Sequence, residues 1–379
     1  MIRYLLIFLV LLLCPIKSET FNFLHIPIQE EGRIKPLDSF ARNQLLKIYG
    51  KTSLTIYDQK KYEISAIDWL YAVLRQEPSS LNQSIFKIQN PDVVNALNLD
   101  KTEKLLYSFN QINKGLTEEN NIELIQRIAT TDKKFLTLVE KQILDLSLKH
   151  KLFIDLFNSA SCVIPILKIS DPRIADAFGV TENTKISYSY YLRNQIQIHH
   201  ALQNMLQIID ENNENELVLF ELKNIMDGIA VFENETFIRN HSGKLNSSNM
   251  LKIIPGDNEW ISAWNIIDEL KVSGSSSTQY SRLLFLAERI FNDDNQLKQT
   301  HLNEYKTILQ SLSNIKSSIL IREVNYNQSN LFLWSLIFYI ISLITLFTLS
   351  ILKKLPKNFK LIPFLMIGIG FLYHLSGII

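Results

Sequence analysis

Apolar residues are spread unevenly along this chain. Three blocks carry no charge: residues 4–16, 331–352 and 361–379. Between the first two, apolar positions mostly recur every three or four residues, the mark of a helix with one buried face. The first such stretch covers residues 38–50, with Phe40, Ala41, Leu45, Leu46 and Ile48 on the repeat, Asp38 as cap and Gly50 as stop. Residues 65–74 predict a second helix, with Trp69 and Leu70 inward and Pro78 ending it. Asn90-Pro91-Asp92 opens a third, running to residue 99. Long helical patterns over 122 to about 157 place Phe135, Leu138, Val139, Ile143, Leu144 and Leu146 at three-to-four spacing. More helices are expected over 187–209, 216–232, 260–270, 279–291 and 302–321. Strand signals are few and short. Residues 84–88 alternate, and 163–167 form a brief apolar run. Residues 21–36 read as an extended entry, because Pro27 and Pro36 each disfavour helix at the residue before. Residues 51–63 read as a polar loop or hairpin. The expected fold is mainly α: a helical domain with a few short strands, then two transmembrane helices.

The ends of the chain set its topology. Arg3, a short apolar run and Lys17-Ser18-Glu19 have the layout of a secretory signal peptide over residues 1–18. That run is too short to cross about 30 Å of hydrocarbon as a helix. Leu12 and Leu13 before Cys14 are bulkier than a lipid-attachment site accepts. Residues 331–352 are long enough to span, and 361–379 form a second uncharged run containing only His374 as an ionisable group. The connection 353–360 holds Lys353, Lys354, Lys357 and Lys360 and no acid, so the positive-inside rule puts it in the cytoplasm. Residues 19–330 are then exported, on the periplasmic side of a bacterial inner membrane, which agrees with the leader.

Charge changes meaning once this topology is drawn. The whole chain has 39 Lys and Arg against 38 Asp and Glu. Setting aside Arg3, Lys17 and the four loop lysines leaves 33 bases against 38 acids in the exported part. A mildly acidic domain argues against nucleic acid as a partner. Cys162 is the only cysteine beyond the leader, so no internal disulfide is expected. There is no Cys-x-x-Cys-His haem-attachment motif, no phosphate-binding glycine loop and no Gly-x-Ser-x-Gly elbow.

The histidines are scattered at 25, 150, 199, 200, 241, 301 and 374. His199 and His200 point about 100° apart on a helix and cannot readily share a metal ion. No metal site is expected, and no carboxylate pair is singled out by spacing, so the chain is not expected to be an enzyme. An exported hydrolase would have to work through His150, His199 or His241. His374 lies in an expected span, where an ionisable group is costly and by default a functional candidate. Its other reading is an imidazole near the outer interface, hydrogen-bonded to a neighbouring helix.

One stretch is unusually specific: Gly32-Arg33-Ile34-Lys35-Pro36-Leu37-Asp38, continued by Ser39-Phe40-Ala41-Arg42. Arg33, Lys35, Asp38 and Arg42 form either a well-made loop-to-helix entry or a docking and anion-recognition element, guanidinium being suited to carboxylates such as haem propionates. This stretch resembles the exported start of the system II cytochrome c biogenesis proteins, the CcsA/ResC-like haem-handling membrane family. Pro27-Ile28-Gln29, Asp68-Trp69-Leu70, Phe86-Lys87-Ile88-Gln89-Asn90-Pro91-Asp92, Tyr107-Ser108-Phe109, Glu323-Val324-Asn325-Tyr326-Asn327 and Phe371-Leu372-Tyr373-His374 match in the same order. Residues 110–320 add almost nothing diagnostic.

The resemblance implies a membrane-anchored component of cytochrome c maturation that supports haem delivery to apocytochrome c. Haem would be a transient cofactor, with His374 as candidate ligand and Arg33, Lys35, Asp38 and Arg42 as docking or propionate contacts. The family's Trp-rich external segment has no counterpart here, since Trp69, Trp260, Trp264 and Trp334 are dispersed. It would lie on a separate multi-span haem-handling subunit, or the chain is a truncated reading frame. The competing expectation is an envelope sensor or scaffold unrelated to haem.

Overall fold

The computed structural model describes residues 21–57, 61–208, 213–242, 250–273, 278–292, 295–351 and 361–377. The expected leader and the lysine loop 353–360 lie outside them. The chain is mainly α and divides into two compact units, Met1–Lys316 and Ser317–Ile379. The helix Ser317–Ser329 groups with the apolar helices that follow.

The first unit opens with the hairpin β1 (Pro27–Glu30) and β2 (Arg33–Pro36), running directly into α1 (Leu37–Tyr49). Gly50 stops α1 in the left-handed conformation at φ 82°, as expected from the sequence. The start differs. Pro36 is the N-cap, with no side-chain cap, and Asp38 lies inside the first turn, where it pairs with Arg42 instead of capping. The polar stretch that follows forms the hairpin β3 (Ser53–Tyr57) and β4 (Lys61–Ser65). Ser65 caps α2 (Ala66–Leu74), whose Trp69 and Leu70 are fully buried. Pro78 does not end α2; it opens the short α3 (Pro78–Asn82), where a missing N–H costs nothing.

After β5 (Ser84–Lys87) come α4 (Pro91–Ala96), β6 (Leu106–Ser108) paired to β5, α5 (Phe109–Thr117) and α6 (Glu119–Thr130). The 22-residue α7 (Leu138–Ser159) is the hub, touching α1, α2, α4, α5 and α6. The helical patterns over 122–157 are carried by these two helices, separated at residues 131–137, and Phe135 and Leu138 are exposed rather than on the buried face. The apolar run 163–167 is not a strand either. A 3-10 turn covers Ser161–Val163, and the strand β7 (Leu167–Ile169) follows, paired to β8 (Thr184–Ile186) across α8 (Pro172–Phe178).

The stretch 187–209 splits at Asn194 into α9 (Tyr188–Arg193) and α10 (Gln195–Ile208), and α11 spans Asn213–Ser242. A small ladder, β9 (Ile254–Pro255) with β10 (Trp260–Ile261), precedes α12 (Ala263–Ser273), α13 (Thr278–Asn292) and α14 (Asn295–Leu312). All sheets among the described residues have two strands, so strands act as clips between helices, not as a layer. Trp69, Trp264, Tyr107, Tyr188, Tyr305, Phe40, Phe153 and Phe291 fill the core, and burying rings of that size dominates packing energetics.

In the second unit, α15 (Ser317–Ser329) leads into α16 (Leu331–Ile351), and together they form a helix long and apolar enough to cross a membrane, its apolar part lying in α16. The second expected span is α17 (Ile362–Ser376), an apolar helix of 15 residues. At 1.5 Å per residue it rises about 22 Å, less than the hydrocarbon thickness of about 30 Å. The pair runs antiparallel. Ser342 donates to the Pro363 carbonyl at 2.9 Å and Tyr326 to the Gly377 carbonyl at 2.6 Å. Gly370 permits the approach, since a Cβ there would lie 2.8 Å from the Tyr339 ring and 3.2 Å from the Ser335 carbonyl.

Candidate functional site

Arg33, Lys35, Asp38 and Arg42 all lie on the β1–β2–α1 element. Glu31 and Gly32 at its tip have φ of 52° and 78°. Two consecutive left-handed residues give a two-residue turn whose twist matches the strands. The ladder runs from Glu30↔Arg33 to Pro27↔Pro36, and the Leu37 amide donates to the Ile26 carbonyl at 2.8 Å, closing the base. The other edge of β1 is held as well. The Gln29 amide donates to the Lys252 carbonyl, and its side-chain oxygen accepts from the Trp260 amide, both at 3.0 Å.

The electrostatics of the element centre on Glu30. Its carboxylate accepts from Lys35 Nζ at 2.7 Å, Gln44 Nε2 at 2.6 Å and Lys47 Nζ at 3.1 Å. Burial pushes the Glu30 carboxyl up, but the Lys35 hydrogen bond and the Lys47 charge outweigh it, leaving the group below its ordinary range. Lys35 is itself buried, so Glu30 is what lets that ammonium leave water. Asp38, 2% exposed, accepts from Arg42 Nε at 2.9 Å, one helical turn along. The structure therefore gathers the four sequence candidates on one element and joins them as Lys35–Glu30 and Arg42–Asp38. Arg33 stands exposed at the turn. Beside the turn runs a groove of about 480 Å³, lined by Glu30, Glu31, Lys252 and Glu259, with Lys252 bonded to Glu259 at 2.8 Å.

Glu30, Gln44 and Lys47 were not singled out by motif. The signal was present in the hairpin register: Ile28 opposes Lys35, so Glu30 and Lys35 share a face as diagonal neighbours. Gln44 and Lys47 stand three apart on α1 and face the same carboxylate.

The histidines have separate surroundings. His374, on α17, is exposed and meets Phe332 edge-on at 5.6 Å and Tyr339 at 6.4 Å. As a haem site this donor set offers one imidazole between two aromatic rings, with no basic side chain for a propionate among those contacts. Any further protein ligand to haem would have to come from outside those contacts. His150 stacks on Phe109 at 4.7 Å and meets Asn113 Oδ1 at 3.1 Å, and burial lowers its pKa to about 4. His199 pairs with the Tyr191 hydroxyl at 2.8 Å, and His241 lies in α11. No group of three or more His, Cys, Asp or Glu is placed to hold a metal among the described residues. Comparison with protein-family models, curated proteins and solved structures finds no match.

Proposed function

We propose that this chain is a membrane-attached component of the system II cytochrome c maturation machinery, supporting haem delivery to apocytochrome c without catalysing thioether formation. The observation that carries the reading is that the matched residues 27–42 make one uninterrupted hairpin–helix element that exposes Arg33 at its tip. The long apolar helix supports attachment to a bilayer. In this reading residues 19–330 lie on the periplasmic face of a bacterial inner membrane and residues 353–360 lie in the cytoplasm.

Within it, the hairpin acts as a docking surface more than as a propionate clamp. Lys35 and Arg42 already neutralise Glu30 and Asp38, and the adjoining groove carries three carboxylates against one amine. Haem is a transient cofactor at most, with His374 contributing one ligand beside a multi-span haem-handling partner. The same internal pairing favours a second reading, an envelope scaffold unrelated to haem, because it equips the element for shape and stability without any ligand.

Purification of the membrane-extracted chain under reducing conditions separates the two. A Soret band, together with a co-purifying Trp-rich multi-span protein, is the expected result. A colourless preparation without such a partner would withdraw the haem role and leave the scaffold.

A further inference from the structure

The connection between α6 and α7 turns apolar groups outward. Phe135 and Leu138 are 74% and 69% exposed, while Leu136 between them is 4% exposed and anchors the loop. The loop is built, not loose. The Phe135 amide donates to the Asp132 carbonyl at 2.9 Å, and the Lys134 amide to Asp132 Oδ1 at 3.2 Å. Thr137 and Glu140 cap the start of α7 reciprocally, each backbone N–H meeting the other's side chain. Arg127, in the last turn of α6, reaches Glu140 at 2.6 Å and ties the two helix ends together. Phe135 and Leu138 are therefore held in water as a neighbouring apolar pair by a preorganised frame, and covering them would gain the free energy of removing apolar surface from water.

Charge decides what that cover is. The acids of this segment, Asp132 and Glu140, are taken by Lys134 at 3.2 Å and Arg127 at 2.6 Å. Lys133 and Lys141 are exposed and meet no carboxylate within 4.0 Å among the described residues. Two unpaired ammonium groups thus flank an apolar tip in sequence, on a segment with three bases against two acids. That combination suits an anionic lipid surface: rings and aliphatic chains enter the headgroup–acyl boundary while ammonium groups meet phosphates.

We propose that residues 131–141 form an interfacial contact with an anionic bilayer, Phe135 and Leu138 entering the boundary and Lys133 and Lys141 meeting lipid phosphates. The inference rests on the membrane-attached reading above, and its test keeps the two apart. The full chain carrying Cys14→Ala, Cys162→Ala and Phe135→Cys is nitroxide-labelled and reconstituted in liposomes containing phosphatidylglycerol. A parallel sample carries the label through Leu343→Cys on α16. Collisions with oxygen and with a water-soluble nickel chelate then report depth.

At 135, oxygen should dominate over nickel. The pair Lys133→Gln and Lys141→Gln should lower the inserted-to-free ratio roughly twenty-five-fold, at about fivefold per lysine near a charged surface. Pure phosphatidylcholine should do much the same. Free nickel access at 135 with lipid contact at 343 overturns the proposal and leaves membrane attachment standing. Nickel access at both overturns both. Shielding of 135 from both reagents means that protein covers the tip, a second copy or another chain, and also overturns it.

Discussion

The hairpin at residues 27–36 and the loop at 131–138 both feed a helix, yet they treat lysines and apolar side chains in opposite ways. In the hairpin, Ile28 is fully buried and Lys35 follows it inward, made tolerable by Glu30. In the loop, Phe135 and Leu138 stay outside, and the carboxylates are occupied by Arg127 and Lys134, so that Lys133 and Lys141 keep their charge at the surface. Lysine count alone therefore says little. What matters is whether a carboxylate lies on the same face of the same element. In the first region charge serves the fold; in the second the fold serves to present charge and apolar surface.

Breaking the Glu30 hub should have the largest effect on stability. Glu30→Gln leaves the Lys35 ammonium buried without its counter-charge, with an expected loss of about 2–3 kcal/mol in denaturant unfolding at neutral pH. The sign of its pH dependence is fixed by the direction of the shift. Glu30 titrates below 4.5 when folded, so its contribution is complete above about pH 4.5 and disappears as pH falls through the folded value. The variant should lack that component of acid destabilisation. An unchanged acid limb would mean the hub is not formed.

His150 sharpens the contrast from inside the core. Its folded pKa is about 4 against 6.5 for the free side chain, so protons bind the unfolded chain first. Stability is complete above pH 6.5 and falls between 6.5 and 4, by about 2 kcal/mol after allowing for its partial access to solvent. Unfolding curves of His150→Gln should be flatter over that window, and a slope equal to wild type would contradict the burial argument.

Glycines divide in the same way between crowding and conformation. Gly370→Val must displace Tyr339 or the Ser335 carbonyl, at an expected cost of about 1–2 kcal/mol in detergent, whereas Gly368 has nothing within 4 Å and should accept Ala. Gly32→Ala meets no neighbour either, but φ is 78°, so about 1 kcal/mol is expected from strain alone, read by chemical denaturation. The smallest change belongs to the loop: Phe135→Ser with Leu138→Ser should shift stability by less than about 0.5 kcal/mol, because neither side chain supports the core. A larger loss would show that the tip is packed after all.

The sequence made α1, α2 and the long apolar helix legible because each has a sustained period and a clear stop, such as Gly50. The turn at Glu31-Gly32 was harder to see, since Pro27 and Pro36 suggest an extended entry while the second strand depends on two left-handed residues. Helical spacing also carried Phe135 and Leu138 onto the repeat over 122–157. What broke it was the Asp132 turn and the Thr137–Glu140 cap, signals that a hydrophobic period does not contain. At the candidate site the four motif residues were visible, but Glu30 was not, because its role arises from strand register rather than from spacing along the chain.

The most direct measurement is covalent haem staining of membrane c-type cytochromes after deletion of the gene and after its return. Deletion should abolish the stained bands while apocytochrome persists by immunoblot, and the restored wild-type chain should bring them back. Covalent haem at the undiminished level in the deletion strain would remove this chain from cytochrome c maturation.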